Sequence, residues 1–223
     1  MRLDIAERLR CPVAHVATPL VIVATRTVER DLMEGVAGCM ICHREAVVRA
    51  GDVIFPGASE IGASAARVKT PTTADSLRTT ARPATDGEGL DRLMALLGLA
   101  EPGGAVLLTG RYGLLAAALS EAVEVHVVVW NAEPTRGAGV SVVRLAEPVV
   151  PFSDNTFRAA ALDADTPLPV LLDAVRVLQI GGRLVGAMPL ERPHSVRELA
   201  RDTAEWVGER EPGPAGVVRI ERR

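Results

Sequence analysis

The sequence predicts an α/β protein in which a doubly wound, mostly parallel sheet follows a small β-rich N-terminal module. Three observations carry this reading. From about residue 86 onward, short apolar runs alternate with amphipathic helical stretches. Those runs are apolar at consecutive positions, as strands buried on both faces require. Before residue 60 the texture differs, with strand-like runs broken by cysteine clusters and turn residues. The apolar share of 48% supplies a sizeable core, so disorder is not the default.

In chain order, Leu3 to Leu9 reads as a short helix, and PLVIVATRTV as a strand. GCMICHREAVVRAGDVIFP reads as a turn followed by a hairpin. Residues 62–85 are rich in small residues, Thr and Pro without periodicity, which predicts a linker or wrapping segment. The organisation expected is therefore a module over 1–60, a linker over 61–85 and the α/β domain over 86–223. Gly87 to Leu99 carries Leu90, Leu93, Met94 and Leu97 at helical spacing. Strands are expected at 105–109, 123–130, 140–145 and 157–164. A helix is expected over Tyr112 to Ala122, and another from Pro169 to Leu178 ending at Gly181–Gly182. RLVGAMPL then reads as a fifth strand, His194 to Glu209 as a long amphipathic helix, and GVVRIERR as a closing strand.

The formal charge of −3 is spread without blocks, and of 25 basic residues only Lys69 is lysine. No basic stripe appears, and with two Trp, three Phe and one Tyr there are few rings to stack on bases. The sequence therefore gives no nucleic-acid signal. The first residues, MRLDIAERLRCPVAH, lack the apolar stretch of a signal peptide, and no run is long enough to span a bilayer. A cytoplasmic location follows as an expectation. There, three cysteines are expected as thiols or metal ligands rather than disulfides.

The stretch VVPFSDNTFRAAALDADTPLPVLLDAVRVLQIGGRLVGAMP resembles class I S-adenosylmethionine (SAM)-dependent methyltransferases. Pro151, Phe152, Asp154 and Phe157 match that family's turn before strand four, and Arg176, Val177, Leu178, Gly181, Gly182, Arg183 and Leu184 match its helix end. The resemblance covers roughly residues 86–222 and implies a Rossmann-like, methyltransferase-like fold. It also implies a SAM site built on a glycine loop after the first strand and an acid after the second. Here the loop reads AVLLTGRYGLL, so Gly110 and Gly113 are the cofactor-facing candidates. Leu108 stands in place of the usual acid, and Arg111 and Tyr112 are bulky. The second strand ends VVVWNAEP, leaving Asn131 as the ribose-facing candidate. The connection AEPTRGAG is too short for a normal crossover helix, and the C-terminal end has one expected strand where the family has two. These departures predict a scaffold whose cofactor site is eroded. Asp163 follows strand four and is the candidate general base. The competing reading makes the Asp163–Asp165 stretch an N-cap for the following helix.

Cys11-Pro-Val-Ala-His15 and Cys39-Met-Ile-Cys42-His43 resemble the two knuckles of a zinc ribbon. With the trailing AVVRAGDVIFP they are similar to the small family that activates tRNA and protein methyltransferases, and to the N-terminal module of ribosomal-RNA guanine methyltransferases. A tetrahedral zinc ion needs four ligands. Cys11, Cys39 and Cys42 supply three, and either His15 or His43 the fourth; the alternative is a ribbon that has lost its metal. Cys39 to His43 also matches the c-type haem attachment pattern, which requires export. His126 and His194 read as structural.

Function is expected in one of two classes. The first is a pseudo-methyltransferase, a non-catalytic binding or scaffold subunit with a protein partner or a second copy, docking through an incomplete sheet edge. The alternative is an active SAM-dependent methyltransferase acting on RNA or a translation-related protein.

Overall fold

The computed structural model describes residues 1–57 and 87–212. The expected linker and the closing strand at GVVRIERR fall largely or wholly outside the described residues. Four strands belong to the first stretch: β1 (Val21–Val28), β2 (Asp31–Gly38), β3 (Glu45–Arg49) and β4 (Asp52–Ile54), preceded by α1 (Leu3–Ala6). The second stretch runs α2 (Gly87–Leu97), β5 (Ala105–Thr109), a 3₁₀ turn (Gly110–Leu115), α3 (Ala116–Val123), β6 (His126–Trp130), β7 (Val140–Arg144), β8 (Phe157–Leu162), α4 (Leu168–Val177), β9 (Leu178–Ala187), β10 (Val196–Arg201) and β11 (Glu205–Arg210).

All eleven strands join in one sheet, ordered β1-β2-β3-β4-β7-β6-β5-β8-β9-β11-β10. The central five are parallel, and β4 is parallel to β7. Chain order reverses between β5 and β8, the switch point of a doubly wound sheet, so the α/β fold is Rossmann-like. Every residue of β5 is buried, as both-faces burial demands.

Two cores lie on opposite faces. On one, Leu93 and Leu97 of α2 and Ala116 and Leu119 of α3 cluster with Val106, Leu108, Val127 and Val129. On the other, Val170, Leu171 and Ala174 of α4 cluster with Leu107, Val128 and Val143. The β7–β8 connection carries no helix. Instead, Ile5, Ala6 and Leu9 from the N-terminal segment join this second cluster. The N–H of Arg10 donates to Pro151 O and that of Ser153 to Arg8 O, which pin the segment there.

Three sequence expectations need correction. His194–Glu209 is not a helix but the antiparallel hairpin β10–β11. Its turn is made by Asp202, whose Oδ1 accepts from the backbone N–H groups of Ala204 and Glu205, both at 2.8 Å. The helix before Gly181–Gly182 ends at Val177, and the glycines lie inside β9 at a break in its register with β8. Gly181 has φ +77 there, which suits glycine. Finally, the C-terminal end of the sheet is not trimmed as expected: among the described residues both β11 and β10 follow β9.

Candidate metal centre and cofactor crevice

The N-terminal loop closes because Cys11 N–H donates to Thr18 O at 3.0 Å and Thr18 Oγ1 to Val16 O at 2.6 Å. That closure turns His15 back toward the second knuckle. There, Cys39 N–H donates to Arg44 O and His43 N–H to Cys39 O, both at 2.9 Å, bending the chain around the two thiols. The ligand atoms of Cys11, His15, Cys39 and Cys42 lie within 4.8 Å of one another. The Cys11 and Cys42 sulfurs are 3.6 Å apart, and Cys39 Sγ lies 3.4 Å from His15 Nε2. Ligands at zinc bond lengths sit at tetrahedral edges of about 3.5–3.8 Å. The first of these two distances falls in that range and the second lies about 0.1 Å below it.

His15, not His43, completes the group. Its Nδ1 is 2.7 Å from Val16 O, so the ring carries its proton on Nδ1 and leaves Nε2 free to ligate. The thiols are prepared unequally. The backbone N–H of Cys42 lowers the Cys39 pKa, and that of Arg44 lowers the Cys42 pKa. Burial pushes Cys11 up to about 12. Three soft donors and one imidazole suit a tetrahedral ion of the zinc type.

The cofactor candidates lie at the carboxyl ends of the parallel strands. Gly110 follows β5 with φ +50, and Asp163 follows β8. The two are in contact: a Cβ built on Gly110 would fall 2.3 Å from Asp163 Oδ2. That oxygen accepts from the Arg111 N–H at 2.7 Å, and Oδ1 accepts from the Ala164 N–H at 2.8 Å. Asp163 N–H donates to Thr109 Oγ1 at 2.8 Å, which is 2.8 Å from Thr166 Oγ1. The carboxylate therefore caps the 3₁₀ turn that begins at Gly110. The expected cap on α4 is not made: its N-cap is Pro167, and no side chain caps it.

Asn131 follows β6 with φ +47. Its Nδ2 donates to Leu145 O at 2.7 Å, and its Oδ1 accepts from the Leu145 N–H at 2.9 Å. Gly113 packs against Val129 and the backbone of Glu133.

Reading the sequence missed the partners of the bulky loop residues. Tyr112 is buried and donates its hydroxyl to Glu205 Oε1 at 2.6 Å. Burial raises its pKa, so it stays protonated. Arg111 lies 3.4 Å from Asp163 Oδ1 and 3.9 Å from Glu205 Oε1, spanning the ends of β8 and β11. Arg92 adds ion pairs to Asp202 and Glu205 at 2.6 and 3.0 Å. Glu205 sat within the supposed C-terminal helix, so no sequence signal brought it to this loop. His126 is buried on β6, but neither ring nitrogen has a hydrogen-bond partner among the described residues, so the expectation of a satisfied structural histidine is not met; burial lowers its pKa to about 3.

No family model matches the sequence, and no curated protein matches it. Among solved structures, a mutant of MtNAS aligns with 56% of this chain and 60% of its own, at 17% identity and TM-score 0.42. The antibiotic-resistance methyltransferase Kmr aligns with 56% of this chain and 93% of its own, at 13% identity and TM-score 0.38. A geranyl diphosphate methyltransferase in complex with SAM aligns over 45% of this chain and 48% of its own, at 19% identity and TM-score 0.36. This chain thus spans less than two thirds of the MtNAS and geranyl diphosphate methyltransferase chains. No helix among the described residues is long and apolar enough to cross a membrane.

Proposed function

We propose that this chain is a pseudo-methyltransferase: a methyltransferase-like scaffold that does not take up SAM and serves as a binding or scaffold subunit. The contact of Asp163 with Gly110 is the observation that supports this most directly. In a doubly wound sheet, ligands enter the crevice at the switch point, beside the carboxyl ends of the strands. A nucleoside there needs bare glycine backbone and free acceptors for its ribose. Here a carboxylate occupies the space over Gly110, and both ends of the Asn131 amide are spent on Leu145. The residues present do not fit the cofactor, and no transfer step is assigned to Asp163.

In the same reading, Cys11, Cys39, Cys42 and His15 hold one structural zinc ion. All four positions are filled by protein, with no open position for substrate. The metal would tie the loop at Cys11 to the turn between β2 and β3.

Titrating SAM into the purified protein by calorimetry tests the proposal. No heat of binding is expected up to about 1 mM SAM, and a Kd in the micromolar range would overturn it. Gly110 and Asp163 do retain their places at the switch point, which favours a second reading as an active methyltransferase. Release of S-adenosylhomocysteine in the presence of RNA or ribosomal protein would establish that reading instead.

A further inference from the structure

We infer that Cys42 and Cys11 are a peroxide-sensitive thiol pair: a hydroperoxide oxidises Cys42, Cys11 closes a disulfide with it, and that bond then ties the N-terminal loop to the β2–β3 turn. The two sulfurs are 3.6 Å apart, so an approach of about 1.5 Å brings them to disulfide length. Residues 11–18 and 39–44 lie outside the strands, so the loop can close that gap without breaking a ladder. Access singles out the pair. Cys42 is exposed and Cys11 partly so, whereas Cys39 is 2% exposed. The Cys39 sulfur is also held 3.4 Å from His15 Nε2, and a link to Cys42 would have to pull it away from the imidazole.

The chemistry balances with a hydroperoxide, ROOH, as oxidant. The Cys42 sulfur attacks the outer oxygen: the S–O bond forms, the O–O bond breaks, and ROH leaves with the thiol proton. The Cys11 sulfur then attacks the Cys42 sulfur: the S–S bond forms, the S–O bond breaks, and hydroxide leaves as water with the Cys11 proton. The two sulfurs together give up two electrons, which the peroxide takes. Where both are thiolates on a metal, solvent supplies the two protons.

Oxidation removes two of the four ligands and leaves Cys39 with His15, too few for a tetrahedral ion. It therefore empties the site. Loss of metal rests on the zinc reading above, while the disulfide rests only on the placement of the thiols. The bond joins residues 31 apart in sequence, and it connects the same two segments that the ligands connect. The module thus exchanges a metal tie for a covalent one when it is oxidised. In a reducing compartment such a bond is transient and redox-responsive.

The full-length protein, as purified, is treated with excess hydrogen peroxide and digested with trypsin without reductant. Trypsin separates residues 11–26, which carry Cys11, from residues 31–44, which carry Cys39 and Cys42. The expected product is these two peptides joined, with fragmentation placing the bond on Cys42, and with one zinc ion released per link to a chromogenic chelator. Dithiothreitol should separate the peptides. Cys11→Ser should lose the link and stop at a sulfenic acid that dimedone traps on Cys42, and Cys42→Ser should lose both link and adduct. No cross-link in the unaltered protein overturns the inference, and so does a bond from Cys39 to either of the other thiols. The same treatment of chelated protein separates the two readings. A Cys11–Cys42 link in a protein that never carried zinc removes the metal and keeps the thiol pair; zinc-bearing protein that forms no link, before or after chelation, removes the thiol pair and keeps the metal.

Discussion

Replacing Gly110 by alanine places a methyl group 2.3 Å from Asp163 Oδ2 and 2.5 Å from its Cβ, on a residue whose φ is +50. Two costs follow. A non-glycine residue in the left-handed region loses about 1 kcal/mol. The methyl also pushes the carboxylate off the Arg111 N–H, a charge-assisted bond worth about 1.5–3 kcal/mol. Gly110→Ala should therefore destabilise the protein by about 3 kcal/mol, measured by urea unfolding. Asp163→Gly removes the Cβ together with the carboxylate, loses the same bond and the one to Ala164, and should cost about 3–5 kcal/mol. Combining the two reveals the cause: once residue 163 has neither carboxylate nor Cβ, Gly110→Ala has little left to displace and should add only about 1 kcal/mol. The cycle then shows a coupling of about 2 kcal/mol. Additivity within about 0.5 kcal/mol would refute the idea that Asp163 fills the space over Gly110. It would also remove the main support for a closed crevice.

Three further outcomes are expected. Purified protein should carry one zinc per chain by elemental analysis, and Cys39→Ser or chelation should lower the melting temperature by several degrees; an unchanged melt after verified metal removal counts against the site. Asn131→Asp removes the donor to Leu145 O and should cost about 1–3 kcal/mol in urea unfolding, where a neutral result would mean that the amide is not engaged. His126 has a folded pKa of about 3, far below its unfolded value near 6.5, so between those limits the unfolded chain binds the extra proton. Its contribution is complete above about pH 6.5 and is lost as pH falls toward 3; His126→Leu should flatten that part of the stability profile by up to about 1.4 kcal/mol per pH unit. Parallel profiles for the two proteins would rule this out.

The legible parts of the fold were those decided locally. The parallel strands announce themselves because burial on both faces leaves them no polar positions, as in AVLLT. The Cys/His cluster was legible in part, because ligands recur at knuckle spacing: the spacing marks Cys11, Cys39 and Cys42 and leaves His15 or His43 as the fourth. What separated His15 from His43 was loop closure through Thr18, a contact that spacing does not encode. The hairpin β10–β11 was misread because VRELARDTAEW is built of good helix formers. There, sheet pairing with β9 overrides propensity, and the stop signal at Asp202 is short. The strand β2 was not nominated at all. Its DLMEGVAG has weak strand character, and it is held by β1 and β3 on its two sides. The crevice was half legible: the bulk of Arg111 and Tyr112 signalled erosion, but Glu205, which receives them, arrives from 93 residues away.

The distribution of aromatic side chains has an optical consequence. Trp130 ends β6 with its Nε1 donating to Val149 O, Trp206 lies buried over Gly186, and Tyr112 sits in the crevice loop. These are the two tryptophans and the single tyrosine of the chain. Fluorescence and near-ultraviolet signals therefore watch the α/β half, while the N-terminal strands and their cysteine loops, residues 1–57, contain Phe55 and neither Trp nor Tyr. Events at those strands pass unseen in emission unless they propagate along the sheet, and a spectroscopic cobalt ion or an added label at the knuckle would give that end a signal of its own.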